Sequence, residues 1–218
     1  MQVPIALQLF KRIYSQIGTI AYIWPNRKEP YGIMQHGPDR HTVRATQTTS
    51  GECVRQILFV CAANMCRSPM AEGLMQRKLE REGRAGEICA ASAGVRAVDG
   101  ARATWNAITI MSERSVDIAG HRSRALTREI VEDAALILTM EREHAEAIKT
   151  RFPQHAHRVY LLSEMAGLDD EIEDPVGGTT EDYSQTAQEI QDLIEQGYPK
   201  IIQLIEEGEP VTPAQDSY

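Results

Sequence analysis

Cys61 and Arg67 are the two residues whose types and spacing most directly suggest chemistry. A cysteine thiolate is a strong nucleophile, and an arginine guanidinium can donate hydrogen bonds to two oxygens of one phosphate group. Ser68 follows Arg67 and could donate a hydrogen bond that steadies the thiolate as a leaving group. A cysteine and an arginine six positions apart also occur by chance, as a buried strand residue and a helix-start residue. Their meaning therefore depends on the elements that position them.

The sequence around Cys61 predicts a strand, a tight loop and a helix. The apolar run 57–60 is typical of a buried strand, while Ser68, Pro69 and Glu72 suit a helix N-cap, first position and first turn. A loop between a strand end and a helix start directs backbone N–H groups and the positive end of the helix dipole toward one point. We expect this point to bind an oxyanion and to favour the thiolate form of Cys61.

The remainder of the chain from position 55 alternates between strand and helix patterns. Strands are predicted at 57–60, 87–92, 134–139 and 159–162. Helices are predicted at 69–83, 101–114, 141–151 and 180–207, the last with a bend near Gly197 and Pro199. This alternation indicates an α/β fold with a parallel sheet covered on both faces. Ligands of such sheets bind at the carboxyl ends of the strands, where Cys61 lies.

The composition excludes several classes of function. A net charge of -8 over 218 residues argues against nucleic acid or an anionic membrane as the main partner. The four cysteines have neither zinc-site spacing nor the pattern of a secreted disulfide framework, so a reducing cytoplasm is the predicted location, and Cys53 and Cys89 are given no role. The amino terminus has no basic region followed by a small-residue cleavage site, which argues against a signal peptide.

Residues 1–54 are predicted to be an amino-terminal extension, helical or partly disordered. Apolar side chains at helical spacing over 1–24 favour an amphipathic helix, weakened by Gly18, and Lys11 and Arg12 argue against a membrane span. The first interpretation is packing against the catalytic domain or a partner; surface membrane attachment, a mobile appendage, a domain remnant and an overlong gene prediction stay open. Residues 25–54 resemble a linker, and 209–218 a flexible tail.

The motif residues carry a resemblance to a known family. Leu58 to Cys61, Asn64, and Cys66 through Glu72 resemble the low-molecular-weight protein tyrosine phosphatase family, over a domain assigned to 55–208. That family includes bacterial protein arginine phosphatases and is related to arsenate reductases. The resemblance implies a flavodoxin-like three-layer sandwich with a four-stranded parallel sheet. It also implies phosphorylated protein substrates, a phosphocysteine intermediate on Cys61, and no cofactor.

The same resemblance assigns the phosphate-binding loop. Its residues are Ala62, Ala63, Asn64, Met65, Cys66, Arg67 and Ser68. No metal is expected, because the guanidinium of Arg67 and the loop amides supply the positive charge that a metal would otherwise provide.

A proton donor is expected among the carboxylates that follow the last strand. A tyrosine leaving group has a pKa of about 10, so its departure benefits from a general acid. The residues alone do not choose among the five carboxylates in 169–174, which could equally be a solvated acidic turn. The resemblance selects Asp174, because Asp174-Pro175 matches the acid loop of the family.

Three residues are implied to support the loop. The Asn64 amide can hold strained backbone by hydrogen bonds, and Ser92 and His121 stand where the family places its partners. On its own, His121 is an ordinary loop histidine. Cys66 could trap an oxidised Cys61 as a reversible disulfide, as the family does, or be a plain buried residue.

Substrate class is the main open alternative. In the family, arginine-specific members carry Thr at the position of Met65, and tyrosine-specific members a bulky aliphatic residue, so Met65 favours phosphotyrosine. The Gly177-Gly178 sequence after Asp174-Pro175, with Tyr183 further on, instead resembles bacterial branches that include arginine phosphatases. Arsenate reduction is disfavoured because no cysteine follows Cys89, and a non-catalytic phosphate-binding module is disfavoured because no reactive residue is missing.

Overall fold

The computed structural model of the protein describes residues 53–208. The expectations for the extension up to residue 52 and for the tail 209–218 lie outside the described residues. No helix within 53–208 is long and apolar enough to cross a membrane.

A four-stranded parallel sheet forms the centre of the described domain. Its strands are β1 (Arg55–Cys61), β2 (Ile88–Gly94), β3 (Ala134–Thr139) and β4 (Val159–Leu161). Their order across the sheet is β2-β1-β3-β4, and every neighbouring pair is parallel. The chain passes from β1 to β2 on one side, and then crosses back over β1 to form β3 and β4 on the other side. The end of β1 is the switch point where ligands of this fold class bind.

Alternation along β1 divides the hydrophobic core into two layers. Ile57, Phe59 and Cys61 point to one face, and Leu58 and Val60 to the other, as the two-residue period of a strand requires. Each face packs on a separate group of buried helix residues. The two layers account for the uninterrupted apolar run in β1, and the predicted flavodoxin-like sandwich is confirmed.

The helices cover both faces of the sheet. They are α1 (Arg67–Arg81), α2 (Trp105–Glu113), α3 (Arg128–Asp133), α4 (Arg142–Arg151), α5 (Leu162–Met165) and α6 (Thr180–Glu207), with a 3₁₀ turn at Pro153–Arg158. The long amphipathic α6 and α1 lie on the Phe59 face, and α3 and α4 lie on the Val60 face. Thr179 caps α6 by accepting a hydrogen bond from the Asp182 backbone.

One local prediction is wrong. Helix α1 begins at Arg67, with Cys66 as its N-cap, because the Ser68 hydroxyl is engaged with Cys61 and Asn64 and does not cap the helix. Helix α6 is continuous through Gly197 and Pro199, and the bend expected there stays a prediction. A Cβ at Gly197 would lie 2.6 Å from the Cβ of Met165, so this glycine allows α5 and α6 to approach closely.

Cys53 and Cys89 form a disulfide, which corrects the prediction that both lack a role. Their Cα atoms are 5.8 Å apart, and 36 positions separate them in sequence. Cys89 belongs to β2, so the bond ties the segment before β1 to the neighbouring strand. Nothing in the local sequence of either cysteine indicates this pairing, because it depends on the register between β1 and β2.

Replacement of Cys53 by serine is expected to destabilise the oxidised protein. Loss of a cross-link that closes a loop of this length lowers the free energy of unfolding by up to about 4 kcal/mol, because the unfolded chain regains entropy. Guanidinium denaturation without reductant measures the change, and the same titration with dithiothreitol should bring both proteins to one midpoint. Equal midpoints without reductant would show that the bond does not form.

Candidate active site

The loop after β1 wraps around the sulfur of Cys61. Cys61 is buried, and the backbone N–H of Asn64 donates to its Sγ at 3.3 Å. The Ser68 Oγ lies 3.0 Å from the same sulfur. Because α1 begins at Arg67, the positive end of its dipole also faces this loop. The surroundings of Cys61 therefore stabilise negative charge on its sulfur.

The hydrogen bonds around Ser68 indicate which acceptor its hydroxyl donates to. Its oxygen accepts from Asn64 Nδ2 at 2.9 Å, which leaves its single hydrogen free for another acceptor. The Cys61 sulfur is 3.0 Å away, whereas the alternative acceptor, the Ala93 carbonyl, is 3.4 Å away. The shorter contact favours donation to Cys61.

Arg67 is 1% exposed, and its guanidinium is surrounded by hydrogen-bond acceptors. Its Nη1 pairs with Glu141 and donates to the Ile172 carbonyl at 2.7 Å, and its Nη2 donates to Asp174 Oδ2 at 2.6 Å. Burial by itself would lower the pKa of Arg67, but the hydrogen bond with Glu141 and the charges of Asp174 and Glu141 raise it on balance. Arg67 is therefore a permanent, fixed cation at the cavity.

A cavity of about 200 Å³ connects the reactive groups. Its lining residues are Cys61, Ala63, Met65, Cys66, Arg67, Thr104, Asp174 and Val176. Four of the seven predicted phosphate-loop residues are in this set. Asn64 and Ser68 are buried outside it, and the Ala62 carbonyl accepts a hydrogen bond from the Arg96 backbone. The cavity brings nucleophile, cation and carboxylate together.

Asn64 supports the loop from within. It is fully buried, with a left-handed φ of 57°, a conformation that asparagine tolerates better than most residues. Its Nδ2 donates to Ser92 Oγ at 2.8 Å as well as to Ser68, and its Oδ1 accepts from the Arg124 backbone at 2.9 Å. The His121 Nε2 lies 2.8 Å from its carbonyl oxygen and donates to it. The structure thus places the predicted supporting residues in one network.

Gly94 permits this arrangement at the end of β2. A Cβ there would lie 2.6 Å from the Ala62 carbonyl oxygen and 2.9 Å from the Asn64 nitrogen. The backbone of Val95 donates to the Cys61 carbonyl at 3.0 Å. Only glycine allows β2 and the loop to approach this closely.

Cys66 lies beside the cavity in a different environment. Its Sγ contacts Thr104 Oγ1 at 3.4 Å and the Tyr183 hydroxyl at 3.6 Å. Burial, more than any other effect, raises the pKa of the Cys66 thiol, so it stays protonated near neutral pH. Cys61 and Cys66 are both free thiols, and their reversible disulfide stays a prediction.

Sequence reasoning missed several residues of the site. Glu141 and the Ile172 carbonyl hold Arg67, and Thr104 and Val176 line the cavity. Glu141 follows the carboxyl end of β3 by two positions, and that location could have identified it, because site residues cluster at strand ends. Thr104 and Val176 had no comparable signal. Within residues 53–208, no group of three or more His, Cys, Asp or Glu side chains could hold a metal ion.

Replacement of Asn64 by alanine is expected to disturb the loop. The change leaves buried partners without hydrogen bonds and puts a less tolerant residue at positive φ, which should lower the free energy of unfolding by about 2–3 kcal/mol. We expect kcat/KM to fall by roughly ten- to a hundredfold, because loop misplacement reduces transition-state binding. Denaturation and steady-state assays measure both effects. Asn106→Ala, on α2, is the control and should change neither; equal effects of the two variants would contradict the role of Asn64.

Residues 56–208 match the sequence profile of the family described as low molecular weight phosphotyrosine protein phosphatase. The chain is 38% identical over 141 residues to a protein-arginine-phosphatase of Bacillus subtilis (strain 168), covering 64% of this chain and 92% of that protein.

Two solved structures have the same fold. A low molecular weight protein tyrosine phosphatase from T. tengcongensis has a TM-score of 0.64 and 36% identity, over 67% of this chain and 99% of that one. A Cys-to-Ser mutant of YwlE arginine phosphatase, with a phosphorylated active-site serine, has a TM-score of 0.64 and 35% identity, over 68% and 95% of the two chains. By sequence and by fold, the chain belongs to the low molecular weight phosphotyrosine protein phosphatase family, of bacterial type.

Proposed function

We propose that the protein hydrolyses phosphotyrosine in protein substrates through a phosphocysteine intermediate on Cys61. The observation that carries this proposal is the convergence of Cys61, Arg67 and Asp174 on one cavity of about 200 Å³. A buried nucleophile, a fixed guanidinium and a carboxylate next to that guanidinium are the parts that phosphoryl transfer requires without a metal.

In the first step the Cys61 thiolate attacks phosphorus. The P–S bond forms as the P–O bond to tyrosine breaks, and the Asp174 carboxyl gives its proton to the departing phenolate oxygen. Arg67 and the loop N–H groups stabilise the equatorial oxygens of the transition state.

In the second step water replaces the cysteine. Asp174, now a carboxylate, takes a proton from the water that attacks phosphorus, and the P–S bond breaks to release phosphate and the Cys61 thiolate. The Ser68 hydroxyl, 3.0 Å from the sulfur, stabilises that thiolate. The enzyme then returns to its starting state.

Substrate entry requires a rearrangement of Asp174. In the structure its Oδ2 accepts a hydrogen bond from Arg67 Nη2 at 2.6 Å, whereas Glu141 and the Ile172 carbonyl accept from Nη1. The two groups on Nη1 can keep the guanidinium in place while a phosphate oxygen displaces Asp174 from Nη2. Asp174, whose side chain is 38% exposed, then turns toward the leaving group.

The apolar wall favours an aromatic leaving group over a guanidinium. Ala63, Met65 and Val176 line the cavity, and Asp174 is the one carboxylate among its described lining residues. A tyrosine ring gains from apolar contact, whereas the polar guanidino group of phosphoarginine loses hydration there. Arginine phosphatase is the second candidate, because a relative 38% identical over 141 residues has that name.

The test is kcat/KM of the reduced protein on matched phosphotyrosine and phosphoarginine peptides. We expect a preference for phosphotyrosine that decreases in Met65→Thr, since the substitution removes apolar surface and adds a hydroxyl. Thr109→Ser, on α2 away from the lining residues, is the control. A preference for phosphoarginine in the unmodified protein would overturn the assignment to tyrosine and leave the mechanism intact.

The remaining proposals concern partners and location. We propose that the protein acts on phosphorylated proteins in the cytoplasm without a metal or organic cofactor, and that the amino-terminal extension contacts a partner or the catalytic domain. The Cys53–Cys89 disulfide is the observation least expected in a reducing compartment. Alkylation of free thiols immediately on cell lysis, followed by mass spectrometry, would measure how much of that disulfide exists in the cell.

A further inference from the structure

A second cavity, of about 600 Å³, lies at the other end of the strands from the active-site cavity. Ala135 and Leu136, at the start of β3, belong to its lining, whereas the Glu141 contact with Arg67 follows the end of that strand. The four residue steps from Ala135 to Thr139 span about 13 Å along a strand, so the two cavities are separate. The volume is within the usual range of small-molecule sites.

Arg158 places a positive charge at one corner of this cavity. It is half-buried, and its Nη2 donates to the carbonyls of Val131 and Glu132, at 2.9 and 3.3 Å, and to His155 Nδ1 at 2.7 Å. Within residues 53–208 it has no ion pair with a carboxylate, and its Nη1 has no hydrogen bond. Burial lowers the pKa of Arg158, and the charge of Glu132 opposes that effect, as a bound anion would.

His155 adds an unsatisfied donor to the same corner. Because its Nδ1 accepts from Arg158, the neutral ring carries its hydrogen on Nε2. That Nε2 and the Arg158 Nε are both buried without a hydrogen-bond partner in the described part of the chain. Two unpaired buried donors make the corner electropositive, and native structures seldom leave such groups uncompensated.

The other walls define the type of anion that fits. Tyr160 and Leu204, both half-buried, supply apolar surface suited to a flat ring. Glu132 and Glu207, both exposed, also line the cavity and would repel a second negative charge. The cavity therefore matches one negative charge on an apolar body better than it matches a phosphate dianion.

We propose that this cavity binds a small aromatic carboxylate, whose charged group pairs with Arg158 and whose ring packs against Tyr160 and Leu204. The carboxylate would reach Nη1, the guanidinium nitrogen without a partner in residues 53–208. The geometry and charge of the cavity carry this assignment, which is independent of the phosphatase reaction.

Binding is expected to leave His155 neutral. Burial, and next the charge of Arg158, lower the pKa of His155; the charges of His157 and Arg128 act in the same direction and that of Glu132 in the opposite one. His155 is thus neutral near pH 7 in the free protein. Protonation would place a hydrogen on Nδ1, 2.7 Å from the Nη2 donor of Arg158, and would remove that hydrogen bond, so His155 stays neutral in the complex.

The test uses the full chain, benzoate as the probe, and saturating vanadate to fill the active site. We expect saturable shifts of the backbone amide NMR signals of residues 155–160, with similar affinity near pH 7 and near pH 8. Arg158→Gln should weaken binding by about tenfold, as the loss of a charge-assisted hydrogen bond predicts. Lys149→Gln, on α4, removes the same charge outside the cavity and should leave affinity unchanged.

A second variant keeps the test decisive if Arg158→Gln does not fold. Leu204→Glu puts a third carboxylate at the half-buried wall and should also weaken benzoate binding. Phenylphosphonate, a dianion near pH 8, should bind less well than benzoate. No saturable binding at residues 155–160, or wild-type affinity in a folded Arg158→Gln or Leu204→Glu variant, would overturn the proposal.

Discussion

Replacement of Cys61 by alanine is expected to lower kcat for phosphotyrosine peptides by more than about 10⁴-fold, a loss typical of nucleophile removal. Oxyanion binding should persist, because Arg67 and the loop N–H groups remain and the negative sulfur is gone. Steady-state assays measure turnover, and calorimetry with inorganic phosphate measures binding. The combination of lost chemistry and retained binding separates a nucleophile from a structural residue.

The choice of alanine and the choice of control both matter. A Cys-to-Ser mutant of YwlE arginine phosphatase has a phosphorylated active-site serine, and alanine is chosen here because it has no hydroxyl that could accept a phosphoryl group. Cys66→Ala is the matched control, since Cys66 lines the same cavity but its raised pKa keeps it a thiol. We expect its kcat within about threefold of wild type. Turnover near wild type in Cys61→Ala would exclude the phosphocysteine mechanism.

Local sequence was sufficient for the central part of the fold. The apolar run of β1 predicts a strand buried on both faces, and β3 at Ala134–Thr139 has the bounds expected from its sequence. Strand ends cluster at one edge of a parallel sheet, so the location of Cys61 follows from the order of elements. Helices α3 and α5 were missed because six and four residues are too few to establish a helical period.

Contacts between distant segments could not be predicted from local pattern. The ion pair between Arg67 and Glu141 joins residues 74 positions apart, and the Cys53–Cys89 disulfide joins residues 36 positions apart. Both depend on which strands lie side by side, information that periodicity and capping signals do not contain. Asp174 was selected through the resemblance, since its neighbouring carboxylates are equivalent in composition. Its contact with Arg67, at 2.6 Å, supplies the physical distinction that composition lacks.

Replacement of Asp174 by asparagine is expected to separate substrates by their leaving groups. Without a general acid, kcat for a phosphotyrosine peptide should fall by about 10²–10⁴-fold. The phosphoryl-transfer step of p-nitrophenyl phosphate should slow by about tenfold or less, because its phenolate departs without protonation. In the proposed mechanism Asp174 also activates water, so the phosphocysteine should accumulate. Rapid-mixing measurements should therefore show a burst of p-nitrophenolate followed by slow turnover.

The Arg67 contact adds a second expectation for the same variant. Asp174 competes with phosphate for Nη2 of Arg67, so loss of its charge should tighten phosphate binding while turnover falls. Glu173→Gln removes an equal charge from the adjacent exposed residue, outside the lining of the active-site cavity, and should produce neither the burst nor the tighter binding. Equal losses in the phosphoryl-transfer step of both substrates, measured by rapid mixing, would contradict the general-acid role, because a group that only positions substrate has no reason to distinguish leaving groups. Tighter phosphate binding with unchanged turnover would instead show that Asp174 pairs with Arg67 in the empty site and takes no part in the reaction.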